Sequence, residues 1–130
     1  MRILTIEDSP DLQLLYQTVI RMVGYECIGY ETATEARRYL LENPAPDLIM
    51  LDLTLPDLDL SEFRSFFAQI PNFDKIPLLV SSGRDDLHLW AQSLGAFHAL
   101  KKPVDIPSLR TFLKDFNEQR SRRKDADLSL

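Results

Sequence analysis

A chain of 130 residues, 45% of them apolar, is sized for one domain with a real hydrophobic core. The net charge of -5 argues against a nucleic-acid-binding surface, no stretch approaches the ~18 apolar residues of a membrane span, and the start of the chain lacks a signal-peptide pattern. Cys27 is the single cysteine, which excludes an internal disulfide or thiolate metal cluster and favours the cytoplasm.

Residues 2–6 read as a first strand. Ser9 caps a helix with Pro10 at its first position and Leu12, Leu15, Val19 and Met22 along one face, and Gly24 ends it. Glu26 to Tyr30 reads as a weaker second strand. Thr34 caps a helix to about Glu42 that Asn43-Pro44 terminates. Leu48 to Leu51 is continuously apolar, as a central parallel strand should be. A helix from about Ser61 to Gln69 follows, burying Phe63, Phe66 and Phe67. Pro77 opens a fourth strand, Leu78 to Ser81. Asp85 or Asp86 starts a helix that runs to Leu94 and ends at Gly95. Phe97 to Lys101 reads as the fifth strand, and Asp105 caps a last helix with Leu109, Phe112, Leu113 and Phe116 on its inner face.

Residues 119–130 carry no apolar periodicity and read as a frayed or disordered tail. Arg120, Arg122, Arg123 and Lys124 cluster there as a solvated helix end or linker rather than a binding patch. Five strand–helix units joined by right-handed crossovers predict an α/β fold, a doubly wound parallel sheet of five strands with five helices.

The chemistry concentrates at the strand ends, where open α/β sheets hold their ligands. The first strand runs into Glu7 and Asp8, the third delivers Asp52, the fourth runs into Ser81-Ser82-Gly83, and Lys102 follows the fifth. Carboxylates at neighbouring strand tips repel one another unless a positive charge lies between them. A hard cation such as Mg2+, which prefers a few oxygen ligands and keeps several waters, resolves this. Asp8 and Asp52 are the expected direct ligands with the Thr54 backbone carbonyl as a third, and Glu7 acts through a water. The same cation would offset the charge of a phosphoryl group arriving on Asp52, a transfer that depends on positioning and charge neutralisation. Lys102 adds a second positive charge, and the Ser82 hydroxyl is placed to hydrogen-bond the transferred group. One acidic residue after a strand is usually a cap or a solvated turn. The joint occurrence of these residues, in order, is what points to a site.

These residues resemble the response-regulator receiver domains of two-component signalling, of the single-receiver chemotaxis type, across roughly residues 1–117. The matching motifs are ILTIEDSPD, PDLIMLDLTLPD, IPLLVSSG and GAFHALKKPVD. The resemblance implies a flavodoxin-like sheet of order 2-1-3-4-5, a receiver domain over residues 1–118, and a charged tail or linker over 119–130. It makes Asp52 the phosphoacceptor, Glu7 and Asp8 the acidic pair, Lys102 the active-site lysine and Ser82 the hydroxyl, with Ser81 as the runner-up. Thr54 and Arg84 fall at the positions that tune dephosphorylation. The implied partners are a histidine kinase or histidine phosphotransfer protein upstream, and a downstream protein target or fused output domain. The implied function is a phosphorylation-dependent cytoplasmic switch in a phosphorelay that dimerises through its output face and contacts neither nucleic acid nor membrane. Its only chemistry would be Mg-dependent self-phosphorylation and autodephosphorylation.

The sequence departs from the family pattern in places. Leu60 stands where a glycine is usual, Ala99 where a switch aromatic is usual, and the loop after Ser82 is about two residues short, counted back from Gly95. Ala99 keeps open an alternative, a receiver-like interaction module that works without phosphorylation. A phosphatase of the haloacid dehalogenase type needs a second acid where Thr54 stands. A flavin carrier needs a hydroxyl- and glycine-rich first loop, whereas this one is Glu7-Asp8-Ser9-Pro10. His88 and His98 lack the spacing and neighbours of a zinc pair, and Trp90 reads as a packing residue near the output face.

Overall fold

In a computed structural model, residues 1–128 are described, with side chains through Arg123. Five parallel strands, β1 (Arg2–Ile6), β2 (Glu26–Tyr30), β3 (Leu48–Asp52), β4 (Leu78–Ser82) and β5 (His98–Lys101), lie in the order β2-β1-β3-β4-β5. The helices are α1 (Pro10–Met22), α2 (Ala33–Glu42), α3 (Phe63–Phe66), α4 (Leu87–Leu94) and α5 (Ile106–Leu128). This is the doubly wound arrangement that the alternating strand and helix patterns predict.

The period of two along each strand splits the core into two layers. Leu4, Ile6, Ile49, Leu51, Leu78 and Val80 point to one face and pack with Ala36, Leu40, Phe63, Phe67 and Leu87. Ile3, Leu48, Met50 and Leu79 point to the other and meet Tyr16, Val19 and Ile20 of α1 with Leu109, Phe112, Leu113 and Phe116 of α5. Both faces of β3 and β4 are covered, so every residue of these two strands is buried. Burying each large apolar side chain contributes roughly 1.5–3 kcal/mol.

Local expectations met with several corrections. Ser9 caps α1 by accepting the Leu12 amide at 3.4 Å, with Pro10 at the first turn. Met22, expected on the inner face, is 70% exposed, because the buried stripe runs through Tyr16, Val19 and Ile20. The cap of α2 is Thr32, whose hydroxyl accepts the Glu35 amide at 3.1 Å, and not Thr34. At α4, Asp86 occupies the cap position without capping. Its carboxylate is taken by Arg84 and by the Trp90 indole N–H.

The helix expected from Ser61 to Gln69 is a single α-turn preceded by a 3-10 turn, Leu60–Glu62. The chain turns tightly after Phe67 so that Phe73 can stack on that ring, at 4.5 Å between centroids and 7° between planes. Asn72 supplies the left-handed residue (φ 57°) that this turn needs. Leu60, standing at the expected glycine position, is buried in the core and seeds the 3-10 turn. Of the segment 119–130 expected as a frayed tail or linker, residues 119–128 continue α5, which is helical through Leu128, and 129–130 lie outside the described residues. Arg120 reaches from α5 to an ion pair with Asp47, whose other oxygen accepts the Arg2 amide at 2.7 Å.

Candidate functional site

The carboxyl ends of β1, β3, β4 and β5 meet at one edge of the sheet. Glu7 and Asp8 leave β1, Asp52 ends β3, Ser82 ends β4, and Lys102 directly follows β5 and is joined to Pro103 by a cis peptide bond. Asp52 continues the β3 alternation onto the face of α1 and α5, so its side chain is carried into the interior and is only 1% exposed. Glu7 is 2% exposed, whereas Asp8 is open to solvent. One carboxylate oxygen from each of Glu7, Asp8 and Asp52 lies within 4.8 Å of the others.

Lys102 closes this group from above. Its ammonium donates to Glu7 Oε1 at 2.8 Å and stands 3.4 Å from Asp52 Oδ2. The two oxygens of Asp52 are not equivalent. Oδ1 accepts both the Thr54 amide (3.0 Å) and the Thr54 hydroxyl (2.8 Å). Oδ2 is buried and has no hydrogen-bond donor. A buried charged oxygen without a donor is costly, and such an atom next to an ammonium is where a cation or an incoming electrophile would be bound.

Electrostatics follows from this packing. Burial alone would raise Asp52, but the Thr54 amide, the Thr54 hydroxyl and the Lys102 charge together hold its carboxyl below the ordinary range. Burial pushes Glu7 up to about 7 against the pull of Lys102, and the neighbouring Asp52 adds to the rise. Burial acts to lower Lys102, but the Glu7 hydrogen bond and the charges of Asp52 and Glu7 outweigh it and leave its pKa raised. Three carboxylates against one ammonium leave the cluster negative, and their convergence fits a hard divalent cation held by Glu7, Asp8 and Asp52.

Ser82 is fully buried at the tip of β4, where its hydroxyl accepts the Arg84 amide at 3.0 Å. The register pairs Asp52 with Ser81 rather than Ser82, and the buried Ser81 hydroxyl has no partner. The Arg84 guanidinium is held by Asp86 at 2.8 and 3.0 Å. It lines a shallow recess with Thr54, Leu58 and Trp90. Ala99 is opposite Val80 in the sheet and packs on the core.

Two supporting groups escaped the sequence reading. Gln13, on the inner side of α1, is buried. Its amide nitrogen donates to Tyr30 O (2.7 Å), Glu7 O (3.3 Å) and Thr5 O (3.4 Å), while its oxygen accepts the Thr5 hydroxyl. It therefore fixes the backbone from which Glu7 projects. Gly29 leaves room for it, because a Cβ there would collide with the Gln13 and Gln17 amides. A polar residue on the apolar stripe of a helix was the available signal. Asp57 is the second. It accepts the amides of Ala33 (3.0 Å) and Thr34 (2.9 Å) and so pins the loop after Asp52 to α2.

The family model described as "Response regulator receiver domain" matches residues 3–114. Sporulation initiation phosphotransferase F of Bacillus subtilis is 24% identical over 88% of this chain and 92% of its own length. The transcriptional regulatory protein KdpE of Staphylococcus aureus is 30% identical over 87% of this chain, which spans 48% of that longer protein. Among solved structures, the chemotaxis response regulator CheY4 of Vibrio cholerae superposes with a TM-score of 0.77, covering 88% of this chain and 97% of its own at 20% identity, a likeness of fold.

Proposed function

Because the chain belongs to the response regulator receiver domain family, we propose that it is a phosphorylation-dependent switch whose phosphoacceptor is Asp52. The observation that carries this reading is the state of Asp52 Oδ2. It is buried, lacks a donor, lies 3.4 Å from the Lys102 ammonium, and sits among three converging carboxylates.

Oδ2 attacks phosphorus as the bond to the donor breaks. That bond is P–N when the donor is a phosphohistidine of a kinase or phosphotransfer protein, and P–O when it is acetyl phosphate. The imidazole nitrogen or the acetate oxygen leaves with the electron pair. Thr54 holds Oδ1 back through two hydrogen bonds, so one oxygen is presented. Lys102 offsets charge on the transferred group, and the Ser82 hydroxyl rotates to donate to it. Glu7, Asp8, Asp52 and the Thr54 carbonyl would hold Mg2+, which would supply further charge neutralisation.

As a signalling receiver rather than an enzyme acting on a separate substrate, the chain works in the cytoplasm through contact with a downstream protein or fused output domain. It binds neither nucleic acid nor membrane itself, and a homodimer through the face of α4, β5 and α5 is one such contact. No described helix is long and apolar enough to cross a membrane.

The test is intact mass after incubation with magnesium and acetyl phosphate. Wild type should gain one phosphoryl group and Asp52→Asn none. A folded, magnesium-binding wild type that gains nothing, from acetyl phosphate or from a phosphorylated histidine donor, would sink the proposal and favour a receiver fold used for binding alone.

A further inference from the structure

Position 99, opposite Val80 on β5, carries alanine and no aromatic ring, yet the loop between β4 and α4 is held from β5 by another residue. Lys101 lies opposite Ser82 in the register. Its ammonium donates to Gly83 O at 2.9 Å and Arg84 O at 2.7 Å, and stands 3.5 Å from Asp85. Both accepting carbonyls belong to the residues directly after Ser82. On the inner side of the same turn, the Ser82 hydroxyl accepts the Arg84 amide at 3.0 Å. The turn is thus fastened twice, by Ser82 from within and by Lys101 from the edge strand. It leads on through the Arg84–Asp86 pair to Trp90, whose indole N–H donates to Asp86 at 3.1 Å.

We propose that Lys101 is a positioning residue that latches the β4–α4 loop in its unphosphorylated arrangement. This rests on the assignment of Asp52 as phosphoacceptor. A hydroxyl that turns to donate to a phosphoryl group on Asp52 gives up the Arg84 amide. The turn can then follow only if Gly83 and Arg84 release the Lys101 ammonium. The latch opposes phosphorylation by the free energy of its own contacts, because a state in which it is closed cannot offer Ser82 to the phosphoryl group. The movement passes to α4 through Asp86 and Trp90. A charge-assisted contact to carbonyls takes the part that side-chain packing would otherwise play.

The experiment uses the full chain with magnesium and acetyl phosphate, following phosphoryl gain by intact mass and the emission of Trp90, the single tryptophan. Lys101→Met should gain phosphate about fivefold faster than wild type, the low end of coupling between two sites. Its emission before phosphate is added should already lie toward that of phosphorylated wild type. Lys101→Arg keeps the donors and should stay close to wild type in both. A residue that merely supports the fold would slow the reaction when removed, not speed it. Lys101→Gln carries the same expectation should Lys101→Met fail to fold. A rate at or below wild type with unshifted emission overturns the latch. A wild type that gains no phosphoryl group overturns the phosphoacceptor assignment instead. Amide exchange at residues 84–86 then tests the latch by itself: faster exchange in Lys101→Met supports it, and exchange as slow as wild type overturns it.

Discussion

Asp57 Oδ2 accepts both the amide and the hydroxyl of Thr34, at 2.9 and 2.8 Å, while Oδ1 takes the Ala33 amide at 3.0 Å. The first turn of α2 is therefore capped twice, by Thr32 just before the helix and by a carboxylate from the loop that follows β3. A negative group at a helix N-terminus also complements the helix dipole. The loop after Asp52 is held by a helix on the opposite side from Lys101, so the Thr54 amide that fixes Asp52 Oδ1 rests on an anchored segment.

Replacing Asp57 by alanine should cost about 1 kcal/mol, the usual loss for an N-terminal cap, read by urea denaturation at neutral pH. Burial is the largest single influence on the Asp57 carboxyl and acts to raise it, but the hydrogen bonds from Thr34 and Ala33 together outweigh it and hold the group below the ordinary aspartate range. The sign follows from linkage. A depressed folded-state pKa contributes stability that is complete above the ordinary aspartate value and is lost as pH falls through the depressed one. The gap between wild type and Asp57→Ala should therefore close in acid. A gap that stays constant down to pH values near 2 would show that another contact, not the carboxylate, carries the effect.

Magnesium should raise the melting temperature of the apoprotein, because a ligand that binds only the native state stabilises it by mass action. Asp8 is the exposed member of the three converging carboxylates. Asp8→Asn should thus leave the magnesium-free melting temperature nearly unchanged while weakening magnesium at least about tenfold, as loss of even an outer partner of a metal site does. Titration calorimetry or the magnesium dependence of melting measures this. Equal affinities in the two proteins would remove Asp8 from the site.

What was legible in the sequence was whatever local pattern controls. The strand runs, the Ser9-Pro10 start of α1 and the Gly95 stop of α4 follow from residue types and neighbours alone. That Asp52, Glu7 and Lys102 would lie together was legible because a strand end fixes where its side chain goes. What was hidden depends on partners distant in the chain. Thr34 looked like a cap until Asp57 took its amide. The Phe67–Phe73 stack ended α3 early. The polar end of α5 gains a fixed point through Asp47, 73 positions from Arg120. Lys101, next to the lysine that drew attention, has no motif at all. Its role depends on two loop carbonyls lying beside an edge strand.

Thr54→Val tests the inequality of the Asp52 oxygens. It removes the hydroxyl at 2.8 Å but keeps the amide at 3.0 Å. A hydrogen bond to a charged group contributes about 1.5–3 kcal/mol, so part of the force lowering the Asp52 pKa should vanish and that pKa should rise. Stability contributed by ionised Asp52 is lost as pH falls through its folded value, so the acid limb of the variant's stability profile should move to higher pH. The phosphorylation rate should drop severalfold without reaching zero, since the amide still restrains Oδ1. A variant with an unmoved acid limb and the wild-type rate would mean that the hydroxyl does not distinguish the two oxygens.

Arg120→Ala tests whether the end of α5 is anchored or merely helical. The Arg120–Asp47 pair is about 30% exposed on each side, and ion pairs near the surface contribute roughly 0.2–1 kcal/mol, so the global change in denaturation should be small. The local change should not be. Beyond Phe116 the helix presents chiefly polar residues, and an isolated helical stretch of that length is marginal in water. Amide exchange over residues 117–123 should therefore accelerate in Arg120→Ala, while exchange in the first two turns of α5, held by Leu109 and Leu113, stays as in wild type. Asp47→Asn should reproduce the effect in weaker form, because the Arg2 amide can still bond its side-chain oxygen. Uniform exchange along α5 in all three proteins would mean that the ion pair does not hold the helix end.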